Sequence, residues 1–230
     1  MVFGGIQKLT LLDYPDKTAC TLFTVGCNFK CPFCHNAALV SPAADSRFID
    51  EDEVLRFLAS RKGLLDGVCI SGGEPLMHPE LLSFMREVKA MGFSVKLDTN
   101  GSFPQRLREC VELRVVDYVA MDIKNAPEKY AVTVGLSTCD LTAVQESVTF
   151  LLTGTIPYEF RTTIVRELHT ADDLMSVARW LSGATRYYFQ GFIDSKDVMR
   201  QGLSSYSSAE MRAMLCKVKK VLPAAELRGI

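Results

Sequence analysis

Short apolar runs alternate with amphipathic stretches along most of the chain. Ala19 to Thr24 is the first such run and predicts a strand. Gly67 to Ser71, Ser94 to Asp98, Val116 to Ile123, Pro157 to Val165 and Arg186 to Phe189 predict five more. The stretches between them repeat apolar residues at helical spacing. Asp50 is a candidate N-cap before Glu51-Asp52-Glu53, whose charges suit the positive end of a helix with the stripe Val54, Leu55, Phe57 and Leu58. Pro79 opens a helix facing Leu81, Leu82, Met85 and Val88 inward, and another is expected around Gln105 to Leu113. After a longer connection around Asn125 to Ser137, Thr138 or Asp140 starts a helix reaching about Leu152. Thr170 with Asp173, and Ser207 with Glu210, resemble capping boxes for a helix to Leu181 and a last helix ending near Leu222-Pro223. Residues 1–18 read as a lead-in with a turn at Asp13-Tyr14-Pro15-Asp16.

Strand and helix therefore alternate about six times, which predicts a parallel sheet with helices packed outside. Right-handed crossovers leave a flat doubly wound sheet and a curved barrel both open, although six units are too few for an eight-fold barrel. The 230 residues suit one domain: the lead-in, a sheet region over 19–206 and a C-terminal helix over 207–222. With 48% hydrophobic residues a sizeable core is expected. Lys+Arg 26 against Asp+Glu 27 gives a net charge of −1 without a basic block, so no nucleic-acid partner is expected. There is no charged-then-apolar leader and no run able to span a bilayer, so a cytoplasmic protein without a membrane partner is expected. Cys20, Cys69, Cys110, Cys139 and Cys216 are scattered singly and read as buried, reduced thiols.

The remaining three cysteines are different. Cys27, Cys31 and Cys34 form a C-x3-C-x2-C array directly after the first strand. Clustered thiolates select zinc or iron–sulfur centres, and a closed site of either kind wants four protein ligands. The local count stops at three. His35 could complete a zinc site only by folding back beside its neighbour Cys34, and three reduced thiols at a turn is the plainer alternative.

Other unusual residues fall where predicted strands end, which is where ligands bind in both candidate architectures. Gly72 and Gly73 permit close backbone approach, Glu74 could accept hydrogen bonds from an ammonium group, and Pro75 stiffens the turn. A plain glycine turn is the simpler alternative. Asp98-Thr99-Asn100-Gly101 and Met121-Asp122-Ile123-Lys124 place a carboxylate at each of two further strand ends, although turn chemistry and surface exposure would also account for them. Arg161, if it points inward, needs an anion; if outward, it is ordinary. Gln190 ends the sixth strand. His78 reads as a helix cap, His169 as solvated in a polar loop, and Met77, Met85, Met121, Met175 and Trp180 as core.

The stretch Gly26 to Asn36 resembles the cluster-binding loop of the radical S-adenosylmethionine (SAM) superfamily. Its ending, Cys34-His35-Asn36, looks like the subset that activates glycyl-radical enzymes, and Gly4 to Pro15 is similar to the start of anaerobic ribonucleoside-triphosphate reductase activating proteins. The resemblance implies an incomplete (β/α)6 TIM-like barrel, open at one side. It implies a [4Fe-4S] cluster on Cys27, Cys31 and Cys34 with SAM on the fourth iron. Phe33 would lie near the adenine, and Gly72, Gly73 and Glu74, with Pro75, at the methionyl amine. Asp98, Thr99, Asn100, Asp122 and Lys124 would border SAM, with a monovalent cation as a further expected ligand, and SAM's carboxylate would be an anion for Arg161. Gln190 stands where some pyruvate formate-lyase activators carry histidine, a departure from that pattern. No conventional catalytic acid or base is implied. The implied partners are a glycyl-radical enzyme, first the anaerobic ribonucleotide reductase, and flavodoxin or ferredoxin as electron donor. The alternatives are a pyruvate formate-lyase-type activator, a small-molecule radical SAM enzyme resembling 7-carboxy-7-deazaguanine synthase, whose Cys-Asp-Thr differs from Cys34-His35-Asn36, and a non-enzymatic metal-binding module.

Overall fold

The computed structural model describes residues 1–229. Its strands are β1 (Val2–Thr10), β2 (Ala19–Thr24), β3 (Ile49–Asp50), β4 (Gly67–Gly72), β5 (Ser94–Thr99), β6 (Tyr118–Asp122), β7 (Tyr158–Ile164), β8 (Tyr187–Gly191) and β9 (Ala225–Arg228). The helices are α1 (Ala37–Val40), α2 (Glu51–Ala59), α3 (Leu81–Ala90), α4 (Pro104–Glu112), α5 (Tyr130–Thr133), α6 (Thr142–Leu152), α7 (Ala171–Trp180) and α8 (Ser208–Val218).

All nine strands belong to one sheet, in the order β3-β1-β2-β4-β5-β6-β7-β8-β9. From β2 to β9 every neighbouring pair is parallel. Parallel neighbours need crossovers, and helices on the outer face supply them, giving a partial TIM-like barrel. The six expected strands are β2 and β4 to β8. Three others were not expected. β1 lies antiparallel to β2 within the supposed lead-in, β3 pairs with the start of β1, and β9 extends the parallel run past the last helix. The end strands β3 and β9 do not pair with each other, so the barrel stays open.

Alternation along the strands sets what faces inward. On β5, Val95 and Leu97 are fully buried among apolar side chains, whereas Lys96 and Asp98 meet each other on the opposite face. The outer layer follows the predicted stripes, except that on α3 Phe84 is buried where Leu82 was expected and Leu82 is only partly buried. α3 buries Leu81, Phe84, Met85 and Val88, each contributing about 1.5–3 kcal/mol of burial.

Both expected capping boxes are complete, with Thr170 accepting from the Asp173 amide and Ser207 from the Glu210 amide. Asp50 occupies its cap position in extended conformation but its side chain caps nothing; the neighbouring Glu51 instead holds the N-terminal ammonium. Pro79 precedes α3 by two residues, so it does not open the helix. No helix among the described residues is long and apolar enough to cross a membrane.

Candidate active site

The cysteine loop leaves the end of β2 at Gly26, whose φ of +87° lies in the left-handed region that favours glycine. Three other chain segments then fix its backbone. The Glu74 amide donates to the Gly26 carbonyl at 2.8 Å, and the Lys30 amide to the Val134 carbonyl at 2.8 Å. Beyond β8, the Met199 amide reaches the Cys34 carbonyl at 3.1 Å and the Arg200 amide the Pro32 carbonyl at 2.8 Å. The contact with the Gly72-Gly73 turn is close enough that a Cβ on Gly73 would lie 1.8 Å from the Gly26 oxygen. The glycine pair thus seats one loop against another.

Together these loops enclose a cavity of about 180 Å³ at the carboxyl ends of the parallel strands. Cys27, Cys31 and Cys34 line it with Phe33, Gly72, Gly73, Asp98, Thr99, Asn100, Asp122 and Lys124, all expected from the sequence. Phe29, Asn36, Val40, Ser71 and Thr163 also line it and were not anticipated, and His35, weighed above as a zinc ligand, borders it too. Thr163 was accessible to sequence reasoning, because it sits two residues after Arg161 on β7 and so shares its face. Asn36 donates to the Gly72 carbonyl at 3.1 Å and joins the two loops, a pairing that sequence spacing does not reveal.

The donor set fits a cluster better than a single ion. Among the described residues no three His, Cys, Asp or Glu side chains are grouped so that one metal ion could be held. Yet all three thiols line one cavity, as a multi-iron centre taking one thiolate per iron requires. His35 borders the cavity, but its Nε2 lies 2.6 Å from the Ile193 carbonyl and the imidazole packs on Phe192. Burial pushes the Cys31 thiol up to about 12 and raises Cys27, so metal must displace protons there to gain thiolate ligands.

The inward faces of β5, β6 and β7 carry a ladder of alternating charge. Lys96 pairs with Asp98, Asp98 with Arg161 at 3.3 Å, Arg161 with Asp122 at 2.9 Å, and Asp122 with Lys124 at 3.0 Å. Arg161 therefore points into the barrel and finds its anions within the chain; it does not line the cavity. Despite burial, the Arg161 and lysine charges hold Asp98 and Asp122 below the usual carboxylate range. Each carboxylate is shared by two protein cations, so the charge that a monovalent cation would balance is already balanced internally.

Glu74 and Pro75 lie behind the cavity wall. The fully buried Glu74 carboxylate accepts from the Leu76 amide at 3.1 Å, the Thr99 hydroxyl at 2.8 Å and the Asn100 amide at 2.7 Å. Burial raises its pKa to about 7 against the pull of these donors. These bonds tie the glycine turn to the end of β5, with the Glu74 carboxylate set behind the cavity wall. Asn100 extends this link, donating to Asn28 at 2.9 Å in the cysteine loop. Gln190 lies one residue before the end of β8, outside the cavity lining.

Several isolated expectations fail for identifiable reasons. His169 is fully buried, not solvated, because both ring nitrogens find backbone partners. Met77 is exposed on the 3-10 turn Pro75–Met77, and Cys216 is exposed on α8, while Cys139 is half-buried. Cys20, Cys69, Cys110, Met85 and Met121 are buried as expected, Met175 and Trp180 are partly buried against the core, and His78 ends the 3-10 turn with Nε2 2.8 Å from the Val25 carbonyl.

Comparison with known proteins agrees with this fold. The Radical SAM superfamily profile matches residues 21–180. A Methanocaldococcus jannaschii protein provisionally named as a glycyl-radical enzyme activating enzyme is 29% identical over 235 residues, covering 99% of this chain and 95% of that protein. The pyruvate formate-lyase-activating enzyme of Clostridium pasteurianum is 32% identical over 136 residues, 56% of each chain. Streptococcus suis SuiB bound to S-adenosylmethionine superposes with a TM-score of 0.70 at 12% identity, over 90% of this chain and 49% of that one. A domain of a pyruvate-formate lyase-activating enzyme from Bacteroides vulgatus gives 0.57 at 16% identity, over 71% and 99%. At these identities the two structures speak to fold alone.

Proposed function

Since the chain belongs to the Radical SAM superfamily, we propose that it activates a glycyl-radical enzyme, with anaerobic ribonucleoside-triphosphate reductase as the partner. The observation that carries this is the cavity bearing three thiols from one loop while Nε2 of the adjacent imidazole is engaged by the Ile193 carbonyl. Likeness over nearly the whole length to a provisionally named glycyl-radical enzyme activating enzyme supports the reaction class. The opening Gly4 to Pro15 supports the choice of reductase.

Cys27, Cys31 and Cys34 would hold the [4Fe-4S] cluster, leaving one iron for SAM. Cluster and SAM, when bound, supply by one-electron reduction a 5′-deoxyadenosyl radical able to take a hydrogen atom from a glycine Cα. The chain's own residues orient and enclose. The backbone of Gly72 and Gly73 would hold the methionyl group, a role that Glu74 serves by fixing the turn. Lys124, held in place by Asp122, would pair with the SAM carboxylate. Phe33 and Thr163, both on the cavity lining, would hold the adenine. The Lys96–Asp98–Arg161–Asp122–Lys124 ladder keeps the floor ionised and rigid, so no wall group has to donate or accept a proton. Flavodoxin or ferredoxin would supply the electron.

A pyruvate formate-lyase-type activator is the second reading, supported by the Clostridium pasteurianum relative. The test is anaerobic reconstitution with iron and sulfide, reduction with SAM, and mixing with each candidate partner. 5′-Deoxyadenosine and a glycyl radical signal on the reductase are expected, and neither from Cys27→Ala. A radical on pyruvate formate-lyase alone selects the second reading; 5′-deoxyadenosine with a small-molecule product and no protein radical overturns both.

A further inference from the structure

His169 is a buried imidazole that the proposed chemistry does not use. It lies in the turn after β7, fully enclosed. Its Nε2 is 2.8 Å from the Lys124 carbonyl, which can only accept, so Nε2 carries the proton. That leaves the Nδ1 lone pair for the Val165 amide, 3.1 Å away. The Val165 carbonyl is meanwhile occupied by the His169 amide at 2.9 Å. The ring edge meets Phe33 with centroids 6.3 Å apart at 76°, a T-shaped contact. The Tyr206 hydroxyl anchors the His169 carbonyl at 2.7 Å.

One side chain therefore touches three walls of the cavity: the end of β6 through Lys124, the end of β7 through Val165, and the cysteine loop through Phe33. Scaffold packing alone would call for a leucine or phenylalanine there. A ring with both nitrogens committed and closed to solvent fixes the relative position of two loops, since shifting either breaks a buried hydrogen bond, and it packs one aromatic side chain against them. Phe33 and the Lys124 side chain both line the cavity, whereas His169 does not.

We propose that His169 is a positioning residue for SAM, placing Phe33 against the adenine and Lys124 at the carboxylate. This rests on the reading that the cavity takes SAM. The experiment compares reconstituted wild-type protein with His169→Phe, which keeps a ring beside Phe33 but leaves the Lys124 carbonyl and Val165 amide unpaired, and with His169→Gln, which keeps a donor. Three quantities are read: iron and sulfide per chain, the SAM concentration at half-maximal change in the reduced cluster's EPR signal, and KM against kcat for 5′-deoxyadenosine formation. In His169→Phe the EPR midpoint and KM should rise together by about tenfold, less than the full penalty of the two unpaired groups because most of it is carried with or without SAM. Iron content should stay at the wild-type value and kcat should change far less. His169→Gln should recover part of the shift. An unchanged EPR midpoint in fully loaded His169→Phe overturns the proposal, as does parallel loss of iron in both variants, which would make His169 scaffold only. A wild-type protein whose cluster signal ignores SAM overturns the reading beneath it as well.

Discussion

Replacing Arg161 with methionine tests the charge ladder directly. The guanidinium bridges Asp98 and Asp122, so its removal leaves each carboxylate with one lysine instead of two cations. Breaking a buried pair by deleting one partner costs roughly 3–5 kcal/mol. Two features lower the figure. Each carboxylate keeps a partner, and Asp122 remains 32% exposed against 13% for Asp98, so water screens its half of the bridge. About 2.5 kcal/mol is expected, or about 5–10 °C in Tm for a chain of this length. The pH dependence follows from the carboxylates. Their folded pKa values are depressed, so the stability they contribute is complete above the ordinary carboxylate range and is lost as pH falls through the folded values. The gap between wild type and Arg161→Met should therefore be constant from pH 8 to about 5 and close below about 4. Anaerobic urea unfolding of the iron-free protein, followed by far-UV circular dichroism across that range, measures it. A gap under about 0.5 kcal/mol at pH 7, or one that widens in acid, would refute the bridge as described.

Two further outcomes follow from the loop geometry. Gly73→Ala should prevent the glycine turn from seating, because its Cβ would meet the Gly26 carbonyl oxygen at 1.8 Å; reconstituted iron should fall several-fold, read by colorimetric iron assay, with helix content unchanged. His35→Ala should retain the wild-type iron and acid-labile sulfide content, because the ring addresses the Ile193 carbonyl and not the thiols; loss of one metal equivalent would contradict that placement.

The parts of the fold visible in the sequence were those with strong periodicity or local chemistry. β2, β4 and most of β6 are apolar runs, β5, β7 and β8 keep a buried apolar face in alternation, and Thr170 and Ser207 cap through bonds within four residues. β1 escaped notice because it pairs antiparallel at the side of the sheet with two irregularities in register, and Gln7 to Leu9 are exposed, so no alternation survives. β9 is only Ala225 to Arg228, held by tertiary ties such as the Arg228–Glu159 pair at 2.7 Å. At the site, the motif residues mostly reached the cavity wall, but their internal partners could not be inferred. Glu74 and Arg161 are committed to groups 25 or more residues away in sequence, and His169 is buried by a carbonyl 45 positions earlier. Residue type announces that a charge needs a partner; only tertiary contact says which.

The backbone of the cysteine loop is clasped by Glu74, Val134, Met199 and Arg200, which follow β4, β6 and β8. The posture of three thiols is thereby a property of the whole rim of strand ends. A substitution far from any cysteine can disturb metal loading by loosening one clasp, and a fall in iron content in such a variant reports on the rim and not on the ligands.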